Sequence, residues 1–263
     1  MAQPMLQYQQ LPPEAGQLAA MYQLGTPQNE YKVRVTVWAM IVWVVIGGVL
    51  GVIFFGAALT ADTTGALLLF LALGLGFVGV ALYMILTPVL FSSWRVYICT
   101  EGFLYKHGNT IEAFRWEQVE AMWQSVTRHR TNGIYTGTTH KYTVRGKDGR
   151  QVIFNDKFGH VEDLGNTLSR QITNYLMPQV VSAYNAGNTI TFGPLSISQQ
   201  GVSNGREALS WSQITAISVN RGIVTVKKEG KWLNWSTIMV ARVPNIFVFM
   251  ALVNYVLKSR QPA

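Results

Sequence analysis

Apolar positions along this chain follow two different rules. From Val37 to Leu59 the sequence is apolar without a break (VWAMIVWVVIGGVLGVIFFGAAL), and a second apolar run covers about 66–91, with Pro88 near its end. Each run is long enough to cross the ~30 Å of a bilayer's hydrocarbon as a helix. A helix is required there, because unpaired backbone groups are costly in lipid. The connector Thr60–Gly65 is short and polar, so the two helices must be antiparallel neighbours. From Arg95 onward the rule changes. Short alternating segments punctuated by turn residues predict strands at Arg95–Thr100, Gly102–Lys106, Ile111–Trp116, Val119–Arg128, Thr138–Arg145 and Gln151–Asn155, with Lys147-Asp148-Gly149 as a hairpin turn. Helical spacing then takes over from His160 to Met177, and Pro178 is expected to stop it.

The same order recurs in the second half, with strands from about Ile190 to Lys228, a turn at Glu229-Gly230, a strand at Trp232–Val240 and a final helix from Pro244 through Leu257. The two halves also match residue by residue. Val96–Phe103 aligns with Leu195–Val202, Trp116-Glu-Gln-Val119 with Trp211-Ser-Gln-Ile214, and Asn174–Met177 with Asn254–Leu257. The offset shrinks along the chain because the second copy lacks the Thr- and Gly-rich stretch around Thr131–Thr138, which is expected to be a long loop. A strand meander closed by one amphipathic helix gives each half a sheet and a cover for it. The expected division is a disordered tail at 1–30, poor in branched aliphatics, a two-helix hairpin at 31–94, and two repeated domains at 95–185 and 186–263.

Charge sharpens this division. Asp62 is the only charged residue between Val35 and Trp94. Of the net +8, the segment from Ala186 onward carries +6, from 8 basic and 2 acidic residues. Lys32 and Arg34 precede the first helix and Arg95 follows the second, which puts both termini in the cytoplasm by the positive-inside rule. Trp38, Tyr83, Phe91 and Trp94 lie at interfacial depths, and the location implied is a multi-pass protein of the plasma membrane. Gly47 and Gly51 form a GxxxG spacing suited to close helix packing, within the hairpin or between copies as a homo-oligomer. A cleaved signal peptide fits poorly, because the first apolar run is too long and is followed at once by another.

The Trp-x-Gln-aliphatic step after the third strand, in a meander capped by one helix, resembles the pleckstrin-homology-like domain. With Thr127–Val144, Thr191–Gly201 and Gly230–Trp235, the whole arrangement is similar to an uncharacterised family of bacterial membrane proteins that carry two helices followed by such modules. The resemblance implies a membrane-anchored α+β chain with two tandem PH-like domains, each an antiparallel sheet or partly open barrel capped by a C-terminal helix.

The sequence carries no nucleophile elbow, no phosphate- or dinucleotide-binding loop and no zinc spacing among His107, His129, His140 and His160, so no cofactor is expected. Cys99, the single cysteine, reads as a small core residue. Asp156, His160, Glu162 and Asp163 lie close in sequence, but acids also favour a helix start; an enzyme using that cluster, gathered with His160 or His129, is the less favoured expectation. Basic residues offer more. Arg128, Arg130, Lys141 and Arg145 in the first copy, and Lys227, Lys228 and Lys231 in the second, are candidate ligands for anionic headgroups. Trp123, Tyr135, Trp232 and Trp235 are the aromatics that could meet lipid or a partner. The expectation is a non-enzymatic binding or scaffolding protein that engages anionic lipid or a protein partner, with a structural subunit of a membrane complex as the alternative. No nucleic-acid reading motif accompanies the basic residues.

Overall fold

A computed structural model describes residues 13–34, 37–91 and 93–260. The chain forms two compact units. One comprises the chain up to Tyr31, Tyr97–Leu104 and everything from Ala113; the other comprises Lys32–Val96 and Tyr105–Glu112.

In the second of these units, α2 (Val37–Leu59) and α3 (Thr64–Phe91) follow the short helix α1 (Pro13–Met21) in chain order. Stretches of 20 and 23 residues in α2 and α3, at mean hydropathy 2.5, are long and apolar enough to cross a membrane, and only 11% of each is buried. Low burial argues against core helices of a soluble domain, which hide their apolar faces. Close approach of the two helices comes from small residues. A Cβ on Gly47 would lie 2.9 Å from the Phe77 carbonyl oxygen, and one on Gly51 would lie 2.9 Å from the Val78 side chain. Phe54 and Phe77 stack at 5.5 Å beside them.

The other unit holds the repeat apart from Arg95–Val96 and Tyr105–Glu112. Its first half is built from a four-stranded sheet in the order β1-β2-β3-β4, a three-stranded sheet β5-β6-β7, and α4. The strands are β1 (Pro27–Lys32), β2 (Arg95–Cys99), β3 (Gly102–His107), β4 (Thr110–Arg115), β5 (Val119–Thr131), β6 (Ile134–Gly146) and β7 (Gln151–Asn155), with α4 at Val161–Asn185. Its second half repeats the pattern with β8 (Ile190–Phe192), β9 (Leu195–Ile197), β10 (Gly201–Ser203) and β11 (Ala208–Ser210) in one sheet. A second sheet holds β12 (Ile214–Asn220), β13 (Ile223–Lys228) and β14 (Asn234–Met239), followed by α5 (Ile246–Ser259).

The copies agree in atomic detail. Each Trp-x-Gln step is a single 3-10 turn between the two sheets. The Trp116 indole donates to the Thr100 carbonyl at 3.0 Å, and the Trp211 indole to the Ser198 carbonyl at 3.0 Å. Gly102 and Gly201 let strands cross closely, since a Cβ would sit 2.1 Å from the Phe114 oxygen and 1.9 Å from the Leu209 oxygen. Both capping helices start from a left-handed residue, His160 (φ 56°) and Asn245 (φ 52°).

Four expectations change. Residues 13–30, expected within a disordered tail, hold α1 and most of β1, which ends at Lys32; residues 1–12 of that tail lie outside the described residues. Leu24, just after α1, is fully buried over Gly102, a placement that stabilises by about 2 kcal/mol for a leucine. Pro178 does not stop α4, which continues to Asn185. Its first part buries Val161, Leu164, Leu168 and Ile172, while Leu176, Met177, Val180, Val181 and Tyr184 pack into the core of the second half, so tertiary packing overrides the proline. Aligned from their caps, α4 and α5 differ by 85 positions, so Asn174 corresponds to Ser259 rather than Asn254. Finally, β5 and β6 run on to a two-residue turn at Asn132-Gly133, both with positive φ, where a long loop was expected.

Candidate binding surface

Strand register sorts the basic residues of the first half. Lys141 faces Ser125, Thr143 faces Trp123 and Arg145 faces Ala121, so these side chains share one face of the β5-β6-β7 sheet. Arg128 pairs with Thr138 at the alternate positions and belongs to the opposite face. Arg130 lies beyond a bulge at His129/Arg130, near the turn. The four cations expected to form one group are therefore divided by the pleat.

On the open face, Trp123, Ser125, Lys141, Thr143, Arg145 and Gln151 line a shallow cleft of about 470 Å³. Arg145 is already engaged there. It donates twice to Glu120, at 2.9 and 2.8 Å, and its guanidinium lies 4.8 Å from the centre of the Trp123 ring. That bidentate pair neutralises its charge and fixes the indole. Lys141 is exposed and makes no ion pair among the described residues, so it is the cation this face offers to an anion.

Two hairpin tips carry the other candidates. At the β5–β6 tip, Arg128 and Arg130 flank Ile134 and Tyr135, which are 71% and 59% exposed. At the β13–β14 tip, Lys227, Lys228 and Lys231 flank Trp232 and Leu233. Residues Trp232 and Leu233, expected within a strand, precede β14 and lie in the connection. Trp235 differs: its indole donates to Glu207 at 3.1 Å and its ring packs on the second core.

The acidic cluster resolves into separate structural pairs. His140, by its backbone N–H and its ring Nδ1, meets both oxygens of Asp156 at 2.9 Å, and its Nε2 lies 3.9 Å from Glu162. Asp163 instead accepts a 2.6 Å hydrogen bond from the Tyr31 hydroxyl, which tethers β1 to α4. Burial first, then the Asp163 carboxylate, pushes the Tyr31 phenol up to about 12. His160 forms the left-handed cap of α4, and His129 bonds Thr139 on the exposed ribbon. The carboxylates are thus not gathered with His160 or His129. Among the described residues no three His, Cys, Asp or Glu side chains converge as ion ligands.

Cys99 is buried, and burial pushes its thiol up to about 11. In the helix pair, Gly47 and Gly51 both face α3, so this spacing serves packing inside the hairpin.

A family model described as a family of unknown function (DUF6585) matches residues 1–262. The chain belongs to this family. No curated protein and no solved structure matches it. Membership in DUF6585 covers both apolar helices and both copies of the repeat, and leaves activity to be argued from the residues themselves.

What sequence reasoning missed at this surface was the β5–β6 ribbon. Asn132-Gly133 is a strong signal for a tight hairpin turn, because both central residues of that turn need positive φ.

Proposed function

We propose that this chain is a membrane-anchored, non-catalytic binding or scaffolding protein that holds two tandem pleckstrin-homology-like modules on the cytoplasmic side of the membrane. One observation carries the reading: the helix pair is spliced between two neighbouring strands. The chain leaves β1 and returns in β2, and β1 and β2 are adjacent in the sheet. The Val33 N–H donates to the Trp94 carbonyl at 3.4 Å, the Thr100 N–H to Thr26 at 3.1 Å and the Glu101 N–H to Leu24 at 2.9 Å. Both ends of an insertion held this way must be on the same side of any membrane it enters, so two crossings are required.

Other features support the reading. The four-plus-three strand arrangement with one C-terminal helix, present twice, resembles the pleckstrin-homology-like fold. Exposed apolar side chains cover α2 and α3, including Val52 at 73% and Leu68 at 62%, and lipid is the solvent that suits them. Lys32, Arg34 and Arg95 flank the hairpin on one side while its connector carries only Asp62, which favours a cytoplasmic location for the modules. Asp156 and Asp163 are taken up by His140 and Tyr31, whereas Lys141 and the two tips remain available for a partner or an anionic headgroup.

The test is sidedness. Single cysteines at Asp62→Cys in the connector and Arg206→Cys in the second module are exposed to a membrane-impermeant thiol reagent in sealed, oriented vesicles containing the full chain. Labelling from opposite sides is expected. Labelling of both from one side overturns the anchored topology.

A further inference from the structure

The connection between β13 and β14 carries the most exposed tryptophan of the described residues. Trp232 is 96% exposed and Leu233 71% exposed. Elsewhere in the unit the indoles of Trp116, Trp211 and Trp235 donate to Thr100, Ser198 and Glu207; the indole of Trp232 has no partner among the described residues. The tip is nevertheless well fixed. Gly230 turns the chain at φ 65°, the Lys231 N–H donates to Lys228 at 3.3 Å, and the Glu229 N–H donates to Gln213 at 2.8 Å. Lys227 and Lys231 are exposed and Lys228 is half-buried, and no ion pair engages any of them among the described residues. Glu229 is the one acid in the turn, which leaves a net positive tip.

We propose that this tip inserts into an anionic bilayer surface, with Trp232 and Leu233 in the boundary between headgroups and acyl chains and Lys227, Lys228 and Lys231 against the lipid phosphates. The inference rests on the anchored reading above and deepens it by naming the surface the second module meets. Two exposed apolar side chains beside three lysines match the step from acyl chains to anionic phosphates at a bilayer surface. Tryptophan suits that boundary because its ring is apolar while its N–H finds water or a phosphate there. Lysine stems lie along the apolar region while their ammonium groups stay at the phosphates. Each such lysine adds attraction to an anionic leaflet, and three together favour association by roughly a hundred-fold. Tethering by α2 and α3 keeps a membrane within the chain's reach and raises its effective concentration at the tip.

Cys99 makes the test clean, because the chain's only thiol is buried. The full chain carrying Leu233→Cys is labelled with an environment-sensitive fluorophore and reconstituted in nanodiscs of phosphatidylcholine, with or without phosphatidylglycerol. Val52→Cys, labelled in the same way, reports the helix pair, and lipids with brominated chains serve as quenchers. The expected result is blue-shifted, quenched emission at Leu233→Cys in the anionic discs, lost when Lys227, Lys228 and Lys231 are all changed to Gln. Water-like emission at Leu233→Cys beside quenched Val52→Cys overturns the tip proposal and leaves the anchored reading standing. A blue shift that brominated lipid does not quench means a protein contact and overturns it too, as does insertion that is equal in neutral discs and indifferent to the lysines. Unquenched Val52→Cys overturns the anchored reading itself.

Discussion

Asn245, in the left-handed conformation ahead of α5, pairs with Met122 of β5 in both directions. Its N–H donates to the Met122 carbonyl at 2.8 Å, and its Oδ1 accepts from the Met122 N–H at 2.9 Å. Its Nδ2 also donates to the Glu120 carbonyl at 3.0 Å. One residue of the second half thereby acts as a fragment of strand on the edge of the first half's sheet. The adjoining crevice, lined by Met122, Ser169, Ile172 and Phe247 among others, is only about 10 Å³, so nothing larger than a water enters the seam.

Replacing Asn245 with Ala removes both side-chain bonds, strands the Met122 N–H and the Glu120 carbonyl, and puts a Cβ-bearing residue without local compensation at positive φ. Each stranded group costs on the order of 1 kcal/mol, and the backbone a further 1 kcal/mol or so, for a loss of about 3 kcal/mol. Asn245→Gly keeps the backbone and loses only the bonds, so it should fall between the two. Denaturant melts of the three proteins in detergent would show this order; an unchanged Asn245→Ala midpoint would mean the seam contributes nothing.

Gly102→Ala and Gly201→Ala should be severe and alike. In each copy the new methyl collides with a neighbouring strand's carbonyl oxygen, and backbone cannot move aside cheaply. A loss on the order of 3 kcal/mol or more is expected from overpacking of this kind. Gly108→Ala, with open space around its Cβ position, is the companion that controls for glycine's flexibility, although its positive φ adds a smaller strain.

Alkaline pH should weaken the fold through its buried phenols. Burial raises Tyr31 and Tyr142 from 10.0 to about 12. For a group whose folded pKa lies above the unfolded one, the contribution is complete below pH 10.0 and is lost as pH rises towards 12, because the unfolded chain gives up its proton first. Stability should therefore decline across that window. Tyr31→Phe should flatten part of the decline while lowering stability near neutrality by about 1 kcal/mol, through loss of its bond to Asp163. A pH series of melts on both proteins checks the slope and its sign.

Gly47→Leu should force α2 and α3 apart, whereas Gly48→Leu should not, since Gly47 meets Phe77 and Ala81 and Gly48 meets nothing within 4 Å. Disulfide trapping between cysteines placed on the two helices reads their proximity. Equal trapping in both variants would put the packing face elsewhere.

The parts of the fold legible in the sequence were those with a strong periodic or compositional signal. Uninterrupted apolarity located α2 and α3, and the Trp-x-Gln steps marked the repeat, which the structure carries down to the indole bonds to Thr100 and Ser198. β1 was invisible for a physical reason: in Pro-Gln-Asn-Glu-Tyr-Lys only Tyr31 is buried, so no alternation of aliphatics marks the strand. Pro178 misled because its local penalty is offset by the contacts its helix makes with the second half. At the surface, counting by twos placed Lys141, Thr143 and Arg145 together correctly, but composition alone could not reveal that Glu120 neutralises Arg145 or that Arg128 faces away. The exposure of Trp232 depends on where β14 begins, two residues later than its pattern suggests.

Splicing the helix pair between β1 and β2 also sets an order of events. As the chain is made, β1 emerges first and waits through both helices for its neighbour, because the segment it pairs with starts only at Arg95. The first sheet can be completed only after the two helices have folded back on one another and brought residue 94 beside residue 33. Contacts this distant in sequence form late. The edge strand thus depends on closure of the hairpin, and fragments that begin at Arg95 lack β1 and are left with an open sheet edge, exposed to self-association.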